Sequence, residues 1–350
     1  MMKRGNVAWA TDELVQIHLT TQSPSHQEER DPRGKMEKLY VQTQLLESFA
    51  LEHYLPGKIY LKMEALQPSG SFKNRGIGHL CDCYAKQGAS HFLSTSGGNA
   101  GLAAAYSGRK LSIPTTVIVP ESTSSFMRDK IQAEGAKVIV QGTSWDEADQ
   151  FAKEMMTRGE FSYIAPFDHP LIWEGNASLI HEVARAGIRP EAILVAVGGG
   201  GLLCGVMKGV YDVGWNSADV FTVETIGADS LYQSFKAGSL VTLESIRSIA
   251  TSLGAKRIAQ QALDWTKIHP IFPQVVTDQA AVEACLKFAD DHRILVEPAC
   301  GAVLSLIYKH HEELKKYGSI LVIVCGGSGV SRALLTKWAN EVGLRKDEIS

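Results

Sequence analysis

Three things are missing from this 350-residue sequence, and each absence removes a class of protein. There is no charge excess: 35 Lys and Arg stand against 38 Asp and Glu, a formal net charge of −3. A chain so balanced has no electrostatic footprint for nucleic acid or for an anionic membrane surface. There is no long apolar run. The longest uncharged run of apolar residues and glycine, Ala192–Met207, carries four consecutive glycines in its middle and falls short of the roughly 18 residues that suggest a membrane span. It reads as a buried strand, a loop and a helix start. Nor do the cysteines cluster. Cys81, Cys83, Cys204, Cys285, Cys300 and Cys325 are scattered, which argues against a disulfide framework and for a reducing, cytoplasmic compartment.

What is present is an alternation of strand-like and helix-like segments. Residues 1–36 are polar and marked by Pro and Gly, with five basic and five acidic residues and no apolar signal core. Asp12 and Glu13 argue against a transit peptide, so a loosely ordered N-terminal extension is expected. Beyond it, "KIYLKM", "HFLST", "TTVIVP", "KVIVQG", "AILVAV", "VFTVETI", "QVVT" and "SILVIV" are short Val/Ile-rich runs separated by helical patterns. Runs with little polar alternation are strands covered on both faces, so the fold class is α/β with parallel sheets. "IAPFDHP" marks a seam, giving a large unit of residues 37–66 and 170–350 and a small one of residues 67–169. Ligands in such folds sit at the carboxyl ends of strands, and four motifs lie there.

The first is "LQPSGSFKNRG", residues 66–76, which sets Lys73 at the end of a small-residue turn behind Phe72. A lysine near its usual pKa of about 10.4 is nearly all ammonium at neutral pH. A desolvated one can be a Schiff-base nucleophile, while the plainer reading is a first-turn lysine reaching water. The second, "STSGGNAG" at 94–101, makes an anion nest suited to a carboxylate; it is equally an ordinary turn with Asn99 as N-cap. The third, "VAVGGGGLLCG" at 195–205, lets backbone approach a phosphate. It lacks a P-loop lysine and a convincing acidic partner for a ribose, so the phosphate belongs to a small cofactor. The fourth, "ILVIVCGGSGVS" at 320–331, sets Cys325 at a strand end as spacer, nucleophile or polar contact. His79 with "CDC" lacks a second ligand pair and reads as helix packing. Asp168 and His169 read as turn residues.

A Schiff-base lysine, a carboxylate nest and a lysine-free phosphate loop together suit an amino-acid-handling pyridoxal phosphate enzyme. From about Lys38 to about Trp338, the chain resembles the fold-type II pyridoxal phosphate enzymes, and among them the catabolic serine/threonine dehydratases. The resemblance runs through "LKMEALQPSGSFKNRGIGH", "SGGNAG", "PFDHPLIWEG", "VGGGGLLCG", "SIATSLGA", "VEPACGA" and "VCGGSGVS". It implies a tryptophan synthase β-like, two-domain parallel-sheet sandwich and a homodimer. Lys73 would form the Schiff base and act as acid and base, with Phe72 against the cofactor ring and Asn99 on its phenolic oxygen. Ser96, Gly97, Gly98, Asn99 and Ala100 would hold the substrate carboxylate. Gly198, Gly199, Gly200, Gly201 and Leu202 would bind the phosphate, and Cys325 would face the pyridine nitrogen. A neutral thiol there weakens the electron sink and favours prompt β-elimination.

The implied reaction is deamination of L-serine and L-threonine to pyruvate or 2-oxobutanoate plus ammonia. Serine racemases carry a serine where this chain has Gly97, so efficient racemisation is not expected. Gly97 would instead leave space in the nest, either slowing turnover or admitting bulkier substrates. The biosynthetic threonine dehydratases carry a C-terminal regulatory domain that the resemblance does not extend to here. Relatives also bind a monovalent or divalent cation near the positions of Glu224 and Ala228; for Glu224, a hydrogen-bonded buried carboxylate is the competing reading. The alternatives to a lyase are a β-replacement enzyme of the cysteine or cystathionine synthase kind, and a non-catalytic cofactor-binding protein.

Overall fold

The structure, a computed structural model, describes residues 38–344. The N-terminal extension expected over residues 1–36 lies outside the described residues. Among the described residues ten strands form two sheets: β1 (Leu45–Glu47), β2 (Lys58–Lys62), β3 (Phe92–Ser94), β4 (Thr115–Val119), β5 (Lys137–Val140), β6 (Ser162–Tyr163), β7 (Ala192–Ala196), β8 (Asp219–Thr225), β9 (Ile271–Val276) and β10 (Ser319–Ile323). A six-stranded sheet runs β1-β2-β10-β7-β8-β9, and a four-stranded sheet runs β5-β4-β3-β6. Every pairing is parallel except β1 with β2. The α/β parallel-sheet fold read from the sequence is therefore the fold observed.

The reason is visible strand by strand. β4 (TTVIV) and β7 (AILVA) are buried along their whole length, so neither alternates polar and apolar residues: β7 is apolar throughout and β4 is entirely β-branched. β9 carries Pro273 within the strand, which a central strand would not tolerate, and it lies at the sheet edge. The largest core surrounds the six-stranded sheet, with Leu51, Leu203, Phe288 and Leu304 among its fully buried residues.

Two helices without a counterpart in the strand-and-helix reading flank the site. Pro170–Arg185 begins with Pro at its first position and His169 as N-cap, Nδ1 accepting from the Leu171 N–H at 3.2 Å. The turn reading of His169 thus becomes a capping role. Pro298–Tyr308, inside the "VEPACGA" motif, is buried at every residue and so has no amphipathic period to detect.

Candidate active site

The lysine turn leaves β2 at its carboxyl end and meets the turn that leaves β10, the strand beside it. Phe72 N–H donates to Cys325 O at 3.0 Å and Gly327 N–H to Gly70 O at 2.9 Å, with a bridge between Ser71 and Gly326. The approach is close enough that a Cβ at Gly326 would lie 2.5 Å from Ser71 Cα, and its φ of +132° is glycine territory. This contact sets Phe72 and Lys73 against Cys325, so the first and fourth motifs form one site.

Lys73 opens the Lys73–Lys86 helix. Its amine donates to Pro166 O at 2.5 Å. Burial of the amine pushes its pKa down to about 8. Cys325 itself is held protonated by its hydrogen-bond contact with Cys300 and by burial, which push its pKa well up.

The residue after Pro166 leads to the glycine loop. A Cβ at Gly199 would fall 2.3 Å from the Phe167 ring, and one at Gly201 would fall 2.6 Å from Phe167 O. Gly200, at φ +91°, turns the chain into the Gly201–Asp212 helix. Gly198–Leu202 therefore combine a side-chain-free loop with a helix N-terminus, an arrangement suited to a phosphate.

The nest leaves β3 of the other sheet. Asn99 is the first residue of the Asn99–Leu111 helix, and its N-cap is Gly98, without a side-chain cap bond. The N-cap reading of Asn99 is thus not what the structure has. Its amide instead donates through Nδ2 to both carboxylate oxygens of Glu297, at 3.2 and 3.1 Å. A carboxylate only accepts, so the amide nitrogen must face it; Asn99 Oδ1 is left buried without a partner among the described residues. Ser96 Oγ accepts from Gly98 N–H at 3.3 Å, and Ala100 is buried in the small sheet's core.

Gly97 differs from expectation. A Cβ there would lie 2.4 Å from Thr123 Oγ1 and 2.7 Å from its Cγ2, so the room a side chain would need is already filled by Thr123. Gly97→Ala should cost about 1–2 kcal/mol through overpacking. Adding Thr123→Ala should recover most of that cost, a coupling that thermal unfolding of the two single variants and the double variant would measure.

Glu224 stands near the carboxyl end of β8, and Ala228 in the turn that follows it. Both Glu224 oxygens are taken by helix N–H groups, Leu231 at 2.8 Å and Tyr232 at 2.7 Å, while burial pushes its pKa up to about 8. Ala228 N–H donates to Thr225 O at 2.9 Å. Among the described residues no group of three or more His, Cys, Asp or Glu side chains is arranged to hold a metal ion.

Sequence reasoning missed Pro166, Phe167, Thr123, Cys300 and Glu297. Pro166 acts through a backbone carbonyl, which leaves no mark on residue identity. Glu297 had a signal: an acidic residue directly before a proline at a helix start. What the site offers is an amine of lowered pKa, a glycine cradle, a neutral thiol and an unpartnered amide oxygen. These suit the phosphate-bearing aldehyde that the sequence resemblance implies: the amine can condense with the aldehyde, and the loop can take the phosphate.

Comparison with known proteins agrees. The model of the family described as "Pyridoxal-phosphate dependent enzyme" matches residues 36–326. An L-serine dehydratase/L-threonine deaminase of Bos taurus is 47% identical over 316 residues, covering 87% of this chain and 97% of the relative. A serine dehydratase-like protein of Homo sapiens is 46% identical, covering 89% and 97%. Among solved structures, a fungal L-serine ammonia-lyase from Rhizomucor miehei superposes with a TM-score of 0.82 at 36% identity, covering 87% of this chain and 99% of that one. By its fold, its lysine turn and its family match, the chain belongs to the pyridoxal-phosphate dependent enzymes.

Proposed function

We propose that this protein deaminates L-serine and L-threonine, releasing a 2-oxo acid and ammonia. The observation that carries the reading is the pairing of Lys73, whose buried amine has a pKa lowered to about 8, with Cys325, a thiol held neutral. The names of the relatives support the same substrate class.

Pyridoxal phosphate, when bound, supplies the electron sink for the pair left at the substrate α-carbon. Lys73 Nζ in its free-base form takes the α-proton and returns one to the departing hydroxyl. The N–H groups of Ser96, Gly97, Gly98, Asn99 and Ala100 hold the substrate carboxylate, and Asn99 holds the cofactor's phenolic oxygen. Gly198–Leu202 hold its phosphate, Phe72 lies against its ring, and Cys325 faces its nitrogen without a negative charge. We propose also that the two sheets mark two lobes, residues 37–66 with 170–350 and residues 67–169. A homodimer and a cytoplasmic location complete the proposal. Supporting that location, all six cysteines are unpaired, and no helix among the described residues is long and apolar enough to cross a membrane.

The test supplies L-serine or L-threonine alone to the cofactor-loaded protein. Equal amounts of 2-oxo acid and ammonia support the reading. Product that appears only when a thiol is added means β-replacement, and bound cofactor with no product means a binding protein.

Cofactor loading has its own pH signature. Only an unprotonated amine attacks an aldehyde, so the rate at which cofactor-free protein takes up pyridoxal phosphate should rise with pH and level off above about 8. For an ordinary lysine it would still be climbing toward about 10.4. Visible absorbance followed after mixing at a series of pH values checks this.

A further inference from the structure

Glu297 is a buried carboxylate whose position calls for an explanation. It stands at the N-cap of the Pro298–Tyr308 helix, yet its side chain makes no cap bond to that helix, the use to which N-cap side chains are ordinarily put. It is 7% exposed. Its side-chain partners among the described residues are Asn99 Nδ2 and the Gly329 N–H, the latter at 2.6 Å. Lys130 is near enough to feel the charge but gives its own hydrogen bond to Ser328 O at 2.6 Å. A buried charge held by neutral donors is costly, and here it joins the first helical residue of the nest to the loop that follows Cys325.

Resting on the function proposed above, we infer that Glu297 is a positioning residue for the cofactor, acting through Asn99. Both its oxygens lie within hydrogen-bond distance of Asn99 Nδ2, and in the arrangement we infer they share one N–H, which fixes the plane of that amide. The second N–H is then the one presented to the cofactor's phenolic oxygen. The same carboxylate holds Gly329 and with it the loop that begins at Cys325. Asn99 has no other side-chain partner among the described residues that would fix its orientation, since its Oδ1 is unpartnered. Without Glu297 the amide is free to rotate.

Glu297→Gln keeps the shape but turns one oxygen into an N–H donor, which must face the Asn99 N–H or the Gly329 N–H. The bound cofactor's visible band should change in position or in its balance with the near-ultraviolet band. Pyridoxal phosphate should dissociate about 10- to 100-fold more readily, the size expected for losing a charge-assisted hydrogen bond. A residue that is merely structural would lower the melting temperature of the cofactor-free protein and leave the spectrum unmoved. The decisive comparison repeats the change in an Asn99→Ala background. There Glu297→Gln should add no further spectral shift, because the residue it acts through is gone. An unaltered spectrum and affinity in Glu297→Gln, or an equal shift with and without Asn99, would overturn the inference. If Glu297→Gln does not fold, Glu297→Asp, which keeps the charge on a shorter arm, should give a smaller shift in the same direction. An unshifted band there would overturn it too. Wild-type protein that forms no cofactor band through Lys73 defeats the functional reading itself, and this inference falls with it.

Discussion

Lys73→Ala should abolish both the visible absorbance of the bound cofactor and the release of 2-oxo acid from L-serine, while the protein stays folded. The loss in kcat should be at least about 10⁴-fold, because one group is assigned both covalent attachment and proton transfer. That factor corresponds to about 5.5 kcal/mol of transition-state stabilisation. Stability should change little by comparison, because among the described residues the amine makes one hydrogen bond, to Pro166 O. Lys73→Arg separates the two explanations for any loss. It restores positive charge but not a nucleophile, since a guanidinium does not deprotonate in a protein. It should be as inactive as the alanine variant. Activity in either variant would move the chemistry to another residue.

How much of this was legible in the sequence depends on what the physics writes into residue identity. Strands buried on both faces cannot alternate polar and apolar residues, so β4 and β7 announce themselves as short β-branched or apolar runs. A loop that admits no side chain must be glycine, so Gly198–Gly201 do too. Lys73 and Cys325 were found because their turns are made of small residues, and the structure places them side by side. Contacts between motifs distant in sequence were not legible. Asn99 and Glu297 are 198 positions apart, and either alone reads as a helix-start residue. Gly97 misled for a related reason: a glycine suggests empty space, but Thr123, from a different loop, fills it. For Glu224 the competing reading of a buried, hydrogen-bonded carboxylate is the one the structure shows, with both oxygens accepting from N–H groups of the helix that follows β8.

The largest stability effect is expected two residues beyond the lysine, at Arg75. It is fully buried, and its guanidinium reaches two carboxylates at once. Nε and one terminal nitrogen grip Glu64 at 2.7 and 2.8 Å, while both terminal nitrogens reach Glu182 at 2.7 Å. Lys62 on β2 completes the cluster, donating to Glu182 at 2.5 Å and to Thr43 O at 2.8 Å. Burial works against the charge on Glu182, but Arg75 and Lys62 outweigh it and hold the carboxyl below its usual range. Two cations against two carboxylates leave the cluster neutral, and that balance makes the burial tolerable. Arg75→Met removes one cation and leaves two buried carboxylates facing a single lysine. The expected cost is about 3–5 kcal/mol, a fall in melting temperature of about 5–10 °C for a chain of this size. Arg75→Lys should recover little, because an ammonium cannot grip two carboxylates with a planar fork. Activity should fall along with stability, since the cluster ties the helix that begins at Lys73 to β2 and to the Pro170–Arg185 helix. A variant that melts within a degree or two of wild type would mean that the carboxylates take up protons or water at little cost, and that the lysine turn is held in place by the Cys325 loop instead.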